Sequence, residues 1–230
     1  AMARGGQEKL GPDGRSVPAM EMTKWLDTNY HYIVPELTRD MKFRLSSRKV
    51  LDEFVEARDM GVLTRPVLIG PVTFLMFGKV RGEKFDRLEL LSGLLPVYVD
   101  VLKRLSALGA SWVQMDEPVL VLETSDAVRR AVREVYGTIA REVPQIKVCL
   151  ATYFEALDEN LDLAVGLPID ELHADLVRAP QQLKPLLDSA PASLSLSLGV
   201  VDGRNIWRND ISQTLRILRE ALSEHGGRRI

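Results

Sequence analysis

Two adjacent carboxylates, Asp116 and Glu117, end the apolar run Trp112-Val113-Gln114-Met115, and Pro118 stops it at once. Carboxylates at the end of a buried strand can do general acid–base work, or they can cap backbone amides or pair with an arginine. Leu172-His173-Ala174-Asp175 brings an imidazole and a carboxylate to a second strand end, where the histidine is either a base or a satisfied core residue. Ala151-Thr152-Tyr153-Phe154-Glu155 closes a third. Asp202-Gly203-Arg204-Asn205-Ile206-Trp207-Arg208 follows the last apolar run. That stretch reads as a ligand-facing loop, or as a turn and helix entry held by an internal salt bridge. His31, within Asn29-Tyr30-His31-Tyr32, reads as structural packing beneath an aromatic strand. Gly70-Pro71-Val72-Thr73, after another apolar run, could bring backbone close to a ligand.

Other chemistries find no support. The three histidines, His31, His173 and His225, show neither His-x-x-x-His nor His-x-Cys spacing, and Cys149 is the single cysteine, so the spacing speaks against a zinc site in this chain. No G-x-G-x-x-G and no G-x-x-x-x-G-K-[ST] occurs, which counts against dinucleotide and P-loop readings.

These clusters need a scaffold, and the rest of the chain supplies its pattern. Short apolar, β-rich segments occur at Tyr30–Val34, Pro66–Gly70, Ser111–Met115, Ile146–Thr152, Glu171–Asp175 and Leu194–Val201. Between them lie stretches with helical spacing: Ser46–Gly61, Phe85–Leu108, Asp126–Val143, Leu157–Gly166, Pro180–Ser189 and Asp210–Glu224. Pro96 should kink or split the second, and Gly226-Gly227 should stop the last. Strands alternating with helices predict an α/β fold with a parallel sheet, several of its strands apolar on both faces. About six strand–helix units fit either an open doubly wound sheet or a portion of a (β/α)8 barrel. In both, polar residues at strand C-terminal ends face the ligand. Residues 1–18, with four glycines and two prolines, read as an irregular arm or loop.

Composition narrows the function. With 230 residues, 46% hydrophobic, the chain can bury a sizeable core. A net charge of -2 excludes a general nucleic-acid binder. The longest apolar runs fall far short of the ~20 residues that span a bilayer, and no signal-peptide core opens the sequence. The expected location is the cytoplasm.

Five strings taken together carry a resemblance. They are Glu21-Met22-Thr23-Lys24-Trp25-Leu26-Asp27-Thr28-Asn29-Tyr30-His31-Tyr32, Leu68-Ile69-Gly70-Pro71-Val72-Thr73-Phe74-Leu75, Val113-Gln114-Met115-Asp116-Glu117-Pro118, Thr152-Tyr153-Phe154-Glu155 and Asp202-Gly203-Arg204-Asn205-Ile206-Trp207-Arg208. In this order they resemble the amino-terminal half of cobalamin-independent methionine synthase. The resemblance implies a (β/α)8 TIM-type barrel for residues 19–230, incomplete in this chain, without the strands that open and close it. A phenylalanine-proline-arginine segment that contributes to folate binding would be among the missing pieces. Full members are much longer, with two face-to-face barrels. They move a methyl group from 5-methyltetrahydropteroyltriglutamate to homocysteine, whose thiol is activated by zinc in the second barrel.

The resemblance therefore implies methionine biosynthesis. The partners would be the folate substrate and the carboxy-terminal catalytic barrel, with no nucleic acid and no membrane. It assigns one residue: Lys24, of Met22-Thr23-Lys24-Trp25, holds the folate's polyanionic glutamate tail. At the strand that carries His-x-Cys in the zinc barrel, this chain has Leu150-Ala151-Thr152, so no zinc is expected here. The segment alone is expected not to catalyse methyl transfer, and Asp116, Glu117, His173 and Asp175 can be inherited scaffold. Two rivals stand beside this reading. One is a stand-alone docking module for a separate catalytic subunit, marked by an exposed apolar patch. The other is a barrel methyltransferase or decarboxylase that uses Asp116, His173 and Asp175 directly.

Overall fold

Side chains alternate along most of the core strands, and that alternation decides which face each residue serves. The computed structural model describes residues 6–10, 16–17 and 19–224. Five strands, β6 (Val67–Ile69), β8 (Trp112–Asp116), β9 (Lys147–Ala151), β10 (Glu171–Asp175) and β11 (Ser195–Gly199), form one parallel sheet in the order β6-β8-β9-β10-β11. Spatial order follows chain order with no reversal. A doubly wound sheet turns back at a switch point, so this is the arc of a barrel.

Helices α3 (Leu91–Ala107), α4 (Asp126–Glu142), α5 (Leu161–Val165) and α6 (Leu183–Ser189) lie in the crossovers, and α7 (Ile211–Glu224) follows β11. Their apolar faces, such as Leu102 and Leu105 of α3 and Val132, Val135 and Ile139 of α4, cover one side of the sheet. From the sheet, Val113, Met115, Val148, Leu150, Leu172, Ala174 and Leu196 meet them, all buried.

The other side of the sheet is polar. Register places Val67, Gln114, Cys149, Glu171 and Ser195 in one rung, and Ile69, Asp116, Ala151, His173 and Ser197 in the next. Barrel interiors are commonly packed with branched apolar residues. β6 and β9 are apolar on both faces, whereas β8, β10 and β11 are apolar on one face and polar on the other. Arg65 lies near the N-terminal end of this face. It pairs with Glu171 and stacks on Trp112, 4.6 Å from the ring centre.

Three other expectations change. The segment Tyr30–Val34 leaves the parallel sheet. Its core, β4 (His31–Ile33), pairs antiparallel with β3 (Met22–Lys24) in a separate hairpin, so the sheet has five strands rather than six. A tight turn between β3 and β4 makes that local pairing available: Trp25 N–H donates to the Tyr30 carbonyl (2.7 Å) and Leu26 takes the left-handed conformation (φ 53°). Pro96 does not split α3, where it removes only one N–H near the helix start, and a 3-10 turn over Arg87–Leu90 leads directly into that helix. Inside the segment read as an irregular arm, β1 (Gly6–Leu10) and β2 (Ser16–Val17) pair antiparallel. The remaining residues of that arm and the Gly226-Gly227 stop lie outside the described residues.

Short pieces complete the frame. Helix α1 (Lys49–Asp59) ends at Gly61, whose φ of 81° fits the left-handed position after a helix. Ser125 is the residue that caps α4, accepting from Val128 N–H. Strands β5 (Glu36–Leu37) and β7 (Lys79–Val80) pair in parallel, and helix α2 (Pro71–Met76) follows β6 directly.

Candidate functional site

All the polar strings singled out by sequence gather at the C-terminal ends of the parallel strands, and most of their groups are already occupied. Glu117 is fully buried. Its Oε2 accepts from Thr73 N–H (2.7 Å) and its Oε1 from Val72 N–H (3.3 Å), capping the first turn of α2. Thr73 Oγ1 in turn accepts from Val119 N–H (3.2 Å). Burial pushes the Glu117 carboxyl up to about 7, against the opposing pull of these amide bonds. The backbone-capping reading therefore holds for Glu117.

Asp175 is occupied in the same manner. Oδ2 accepts from Phe154 N–H (2.9 Å), and Oδ1 from Val177 N–H (2.9 Å) and Arg178 N–H (3.0 Å). The first of these bonds holds Phe154 at φ 80°, a strained conformation for an aromatic residue. A carboxylate so engaged is a turn anchor. Asp202 likewise accepts from Arg204 N–H (2.9 Å) and Asn205 Nδ2 (2.7 Å), which hold it below its ordinary range. The 202–208 loop is thus a hydrogen-bonded turn and not a salt-bridged one, and Arg204 stacks instead on the Phe154 ring, 5.4 Å from its centre.

Asp116 and His173 occupy one rung, two strands apart. Asp116 accepts from Gln114 Nε2 (2.8 Å) and from the Tyr153 hydroxyl (3.2 Å). Burial raises the Asp116 carboxyl and lowers the His173 imidazole, so both are drawn toward neutrality. His173 Nδ1 bonds Ser197 Oγ (2.9 Å). One ring nitrogen of the half-buried His173 is thus taken while the ring lines a cavity, and Asp175 is committed to three amides.

Tyr153 and Phe154, stacked edge to face at 4.9 Å, stand between a pair of cavities. One, of about 420 Å³, is lined by Phe154, His173, Asp175, Arg178 and Arg204. The other, of about 460 Å³, is walled by Trp25, Tyr32, Ile69, Phe74, Phe77 and Tyr153. The Trp25 ring meets Tyr32 and Phe77 edge-on, each at 5.1 Å, and the Tyr32 hydroxyl donates to the Phe77 carbonyl (2.9 Å). This aromatic wall suits a flat, conjugated ligand.

Lys24 stands on the hairpin that forms one side of the aromatic cavity. It is exposed on β3, directly opposite His31. The neighbouring acids are taken: Glu21 by Lys79 (2.5 Å) and Asp27 by Arg178. Among the described residues the Lys24 ammonium has no ion-pair partner. His31 is not packed beneath the strand as expected. It is exposed and lines the aromatic cavity, with Nδ1 bonded to the Asn29 carbonyl (3.0 Å).

A zinc site does not fit these residues. Leu150, Ala151 and Thr152 offer no ligand set, and burial and the neighbouring Glu171 push the Cys149 thiol up to about 12, the reverse of a metal-binding thiolate. Among the described residues no three His, Cys, Asp or Glu side chains cluster as metal ligands, and no helix is long and apolar enough to cross a membrane.

The fold and the geometry at its strand ends define a barrel-type α/β domain with an aromatic cavity at the mouth of its sheet. The family described as "Cobalamin-independent synthase, N-terminal domain" matches residues 1–226, and the chain belongs to that family. Among curated proteins, the 5-methyltetrahydropteroyltriglutamate–homocysteine methyltransferase of Nitrobacter winogradskyi is 54% identical over 213 residues, 93% of this chain and 28% of that protein. The protein of the same name from Rhodopseudomonas palustris is 49% identical over 242 residues, all of this chain and 31% of that protein. The chain thus spans under a third of these relatives' length. The fold is shared with a B12-independent methionine synthase from Shewanella sp. W3-18-1, solved in complex with selenomethionine. The TM-score is 0.70 at 15% identity, covering 91% of this chain and 64% of that one.

Proposed function

We propose that this chain is the folate-tail-binding, barrel-supporting segment of a cytoplasmic cobalamin-independent methionine synthase. The whole enzyme would move a methyl group from 5-methyltetrahydropteroyltriglutamate to homocysteine, with zinc held by the carboxy-terminal barrel and not by this chain. The observation that carries the reading is Lys24, an exposed ammonium whose neighbouring acids are paired elsewhere, beside an aromatic cavity of about 460 Å³. A compact cation without a counter-ion among the described residues matches the carboxylates of a glutamate chain, and the aromatic wall matches the flat rings that precede it. Family membership supports the same assignment. Occupied carboxylates at Glu117 and Asp175 favour a non-catalytic segment over a barrel enzyme acting through them.

Ile206 and Trp207, 92% and 77% exposed at the same end of the sheet, favour a docking role as well. In the full enzyme they would meet the catalytic barrel, and in a stand-alone protein a separate subunit. Calorimetric titration with the triglutamate and monoglutamate forms of 5-methyltetrahydrofolate tests the tail-binding reading. It requires tighter triglutamate binding that Lys24→Ala weakens.

A further inference from the structure

The cavity of about 420 Å³ on the Phe154 side of the aromatic pair has no part in the tail-binding reading, and two donors converge on it. His173 is the first. Its Nδ1 bonds Ser197 Oγ, and the opposite edge of the ring lies over Gly199, where an added Cβ would stand 3.1 Å from both Cε1 and Nε2. Gly199 itself lines the cavity, so the missing side chain leaves the Nε2 edge open to it. A hydroxyl can donate to Nδ1 or accept from it. When Ser197 donates, the neutral imidazole carries its proton on Nε2 and offers an N–H to the cavity. No imidazolium is needed, and burial disfavours one.

Arg204 is the second. Its guanidinium stacks on Phe154, 5.4 Å from the ring centre, and among the described residues it forms no ion pair. Stacking on a ring face leaves the in-plane N–H groups of the fork to donate elsewhere. The other charged groups on the cavity are committed. Arg178 pairs with Asp27, Asp175 holds three backbone amides, and Asp202 accepts from Arg204 N–H and Asn205. Leu198, Val200 and Val201 supply apolar wall. An apolar pocket with a few convergent donors is the usual form of a small-ligand site.

We infer that this cavity binds a small monocarboxylate with a short apolar chain, its carboxylate held by Arg204 and His173 Nε2–H and its chain laid against Leu198, Val200 and Val201. The inference goes beyond the tail-binding reading and does not depend on it. An α-amino acid fits less well, because its ammonium meets no uncommitted carboxylate among the described residues of the cavity. An uncharged amide fits less well again, because it forfeits the charge-assisted bond to the guanidinium.

The test is titration of this chain, followed by nuclear magnetic resonance, with isocaproate and with two isosteres of it, leucine and isocaproamide. The expected result is saturable binding of isocaproate, with leucine and isocaproamide each about tenfold weaker. Arg204→Met, on an exposed turn, should weaken isocaproate about tenfold while its melting temperature stays unchanged. Imidazole nitrogen spectra, assigned by the signal missing from His173→Phe, give a readout that needs no functional variant. In the isocaproate complex His173 should be the neutral Nε2–H tautomer. Binding of acid and amide with equal affinity, leucine as tight as isocaproate, an Arg204→Met variant that binds normally, or no saturable binding by the folded chain each overturns the site. A competition arm separates it from the proposed function. 5-Methyltetrahydrofolate triglutamate should leave isocaproate bound, and displacement would assign the cavity to the folate and overturn the inference while leaving the tail-binding reading intact. Failure of the triglutamate preference, with isocaproate still bound, would do the reverse.

Discussion

Gly70 and Glu117 occupy space that only glycine leaves free. A Cβ on Gly70 would lie 2.0 Å from Glu117 Cδ and 2.2 Å from Oε1. The backbone of Gly70 is extended (φ −65°, ψ 147°), so the constraint is close approach and not conformation. Gly70 gives the Glu117 carboxylate its path to the amides of Val72 and Thr73, and that cap fixes α2, which presents Phe74 to the aromatic cavity.

Gly70→Ala should therefore destabilise the chain by about 3 kcal/mol, since neither the buried carboxylate nor the strand end can move away cheaply. Chemical denaturation followed by circular dichroism measures it. Gly203→Ala, where an added Cβ meets nothing within 4 Å, is the control and should cost far less.

Glu117 also sets a pH dependence. Its folded-state value of about 7 lies above its ordinary 4.5, so the folded protein holds the proton more tightly than the unfolded chain. The stabilisation is fully present below pH 4.5 and is lost as pH rises through 7. Glu117→Gln has no such titration. Its stability deficit relative to the unaltered chain should shrink by about 3 kcal/mol between pH 4.5 and pH 7.5. Denaturation midpoints of both proteins across that range supply the comparison, and a deficit that grows with pH refutes the assignment.

Asp175→Ala frees three backbone N–H groups and releases Phe154 from its left-handed conformation. The expected loss is about 2–3 kcal/mol of stability, with faster hydrogen exchange confined to the 153–155 and 176–178 turns. Asp175→Asn, which keeps acceptor capacity, should lose less. If catalysis rather than architecture needed Asp175, stability would stay unchanged.

Among the described residues, β6 and β11 are the edges of the parallel sheet, and Val67 is 52% exposed on the first. Open edges recruit partners. The 230-residue chain by itself should self-associate at micromolar concentration, and Val67→Lys should reduce this by placing a charge on the edge. Sedimentation velocity reads both. A chain that stays monomeric across the micromolar range would contradict the expectation.

Much of this architecture was legible from side-chain type. Glu171–Asp175 begins and ends where the strand does, and the other four sheet strands and the long helices fall within a few residues of their apolar patterns, because burial against α3 and α4 selects those residues. Three things were hidden. Helix α2 is only six residues long and starts at Pro71, too short for a period to show. The polarity of the inner face became readable only with register, which aligned Gln114 with Glu171 through Cys149 and Asp116 with His173 through Ala151. The hairpin holding Lys24 and His31 looked like one parallel strand, since residues 30–34 are apolar and aromatic whichever way they pair. Local spacing could flag Asp116, Glu117, His173 and Asp175 as polar at strand ends. It could not show that two of these carboxylates were already spent on backbone amides, a fact of tertiary contact.

The most direct measurement is the affinity of this chain for triglutamate against monoglutamate 5-methyltetrahydrofolate, with and without Lys24. The account predicts tighter triglutamate binding and its reduction to the monoglutamate level in Lys24→Ala, with that variant's melting temperature unchanged. A folded chain that binds both forms equally, or a Lys24→Ala variant that keeps the full preference, would contradict it.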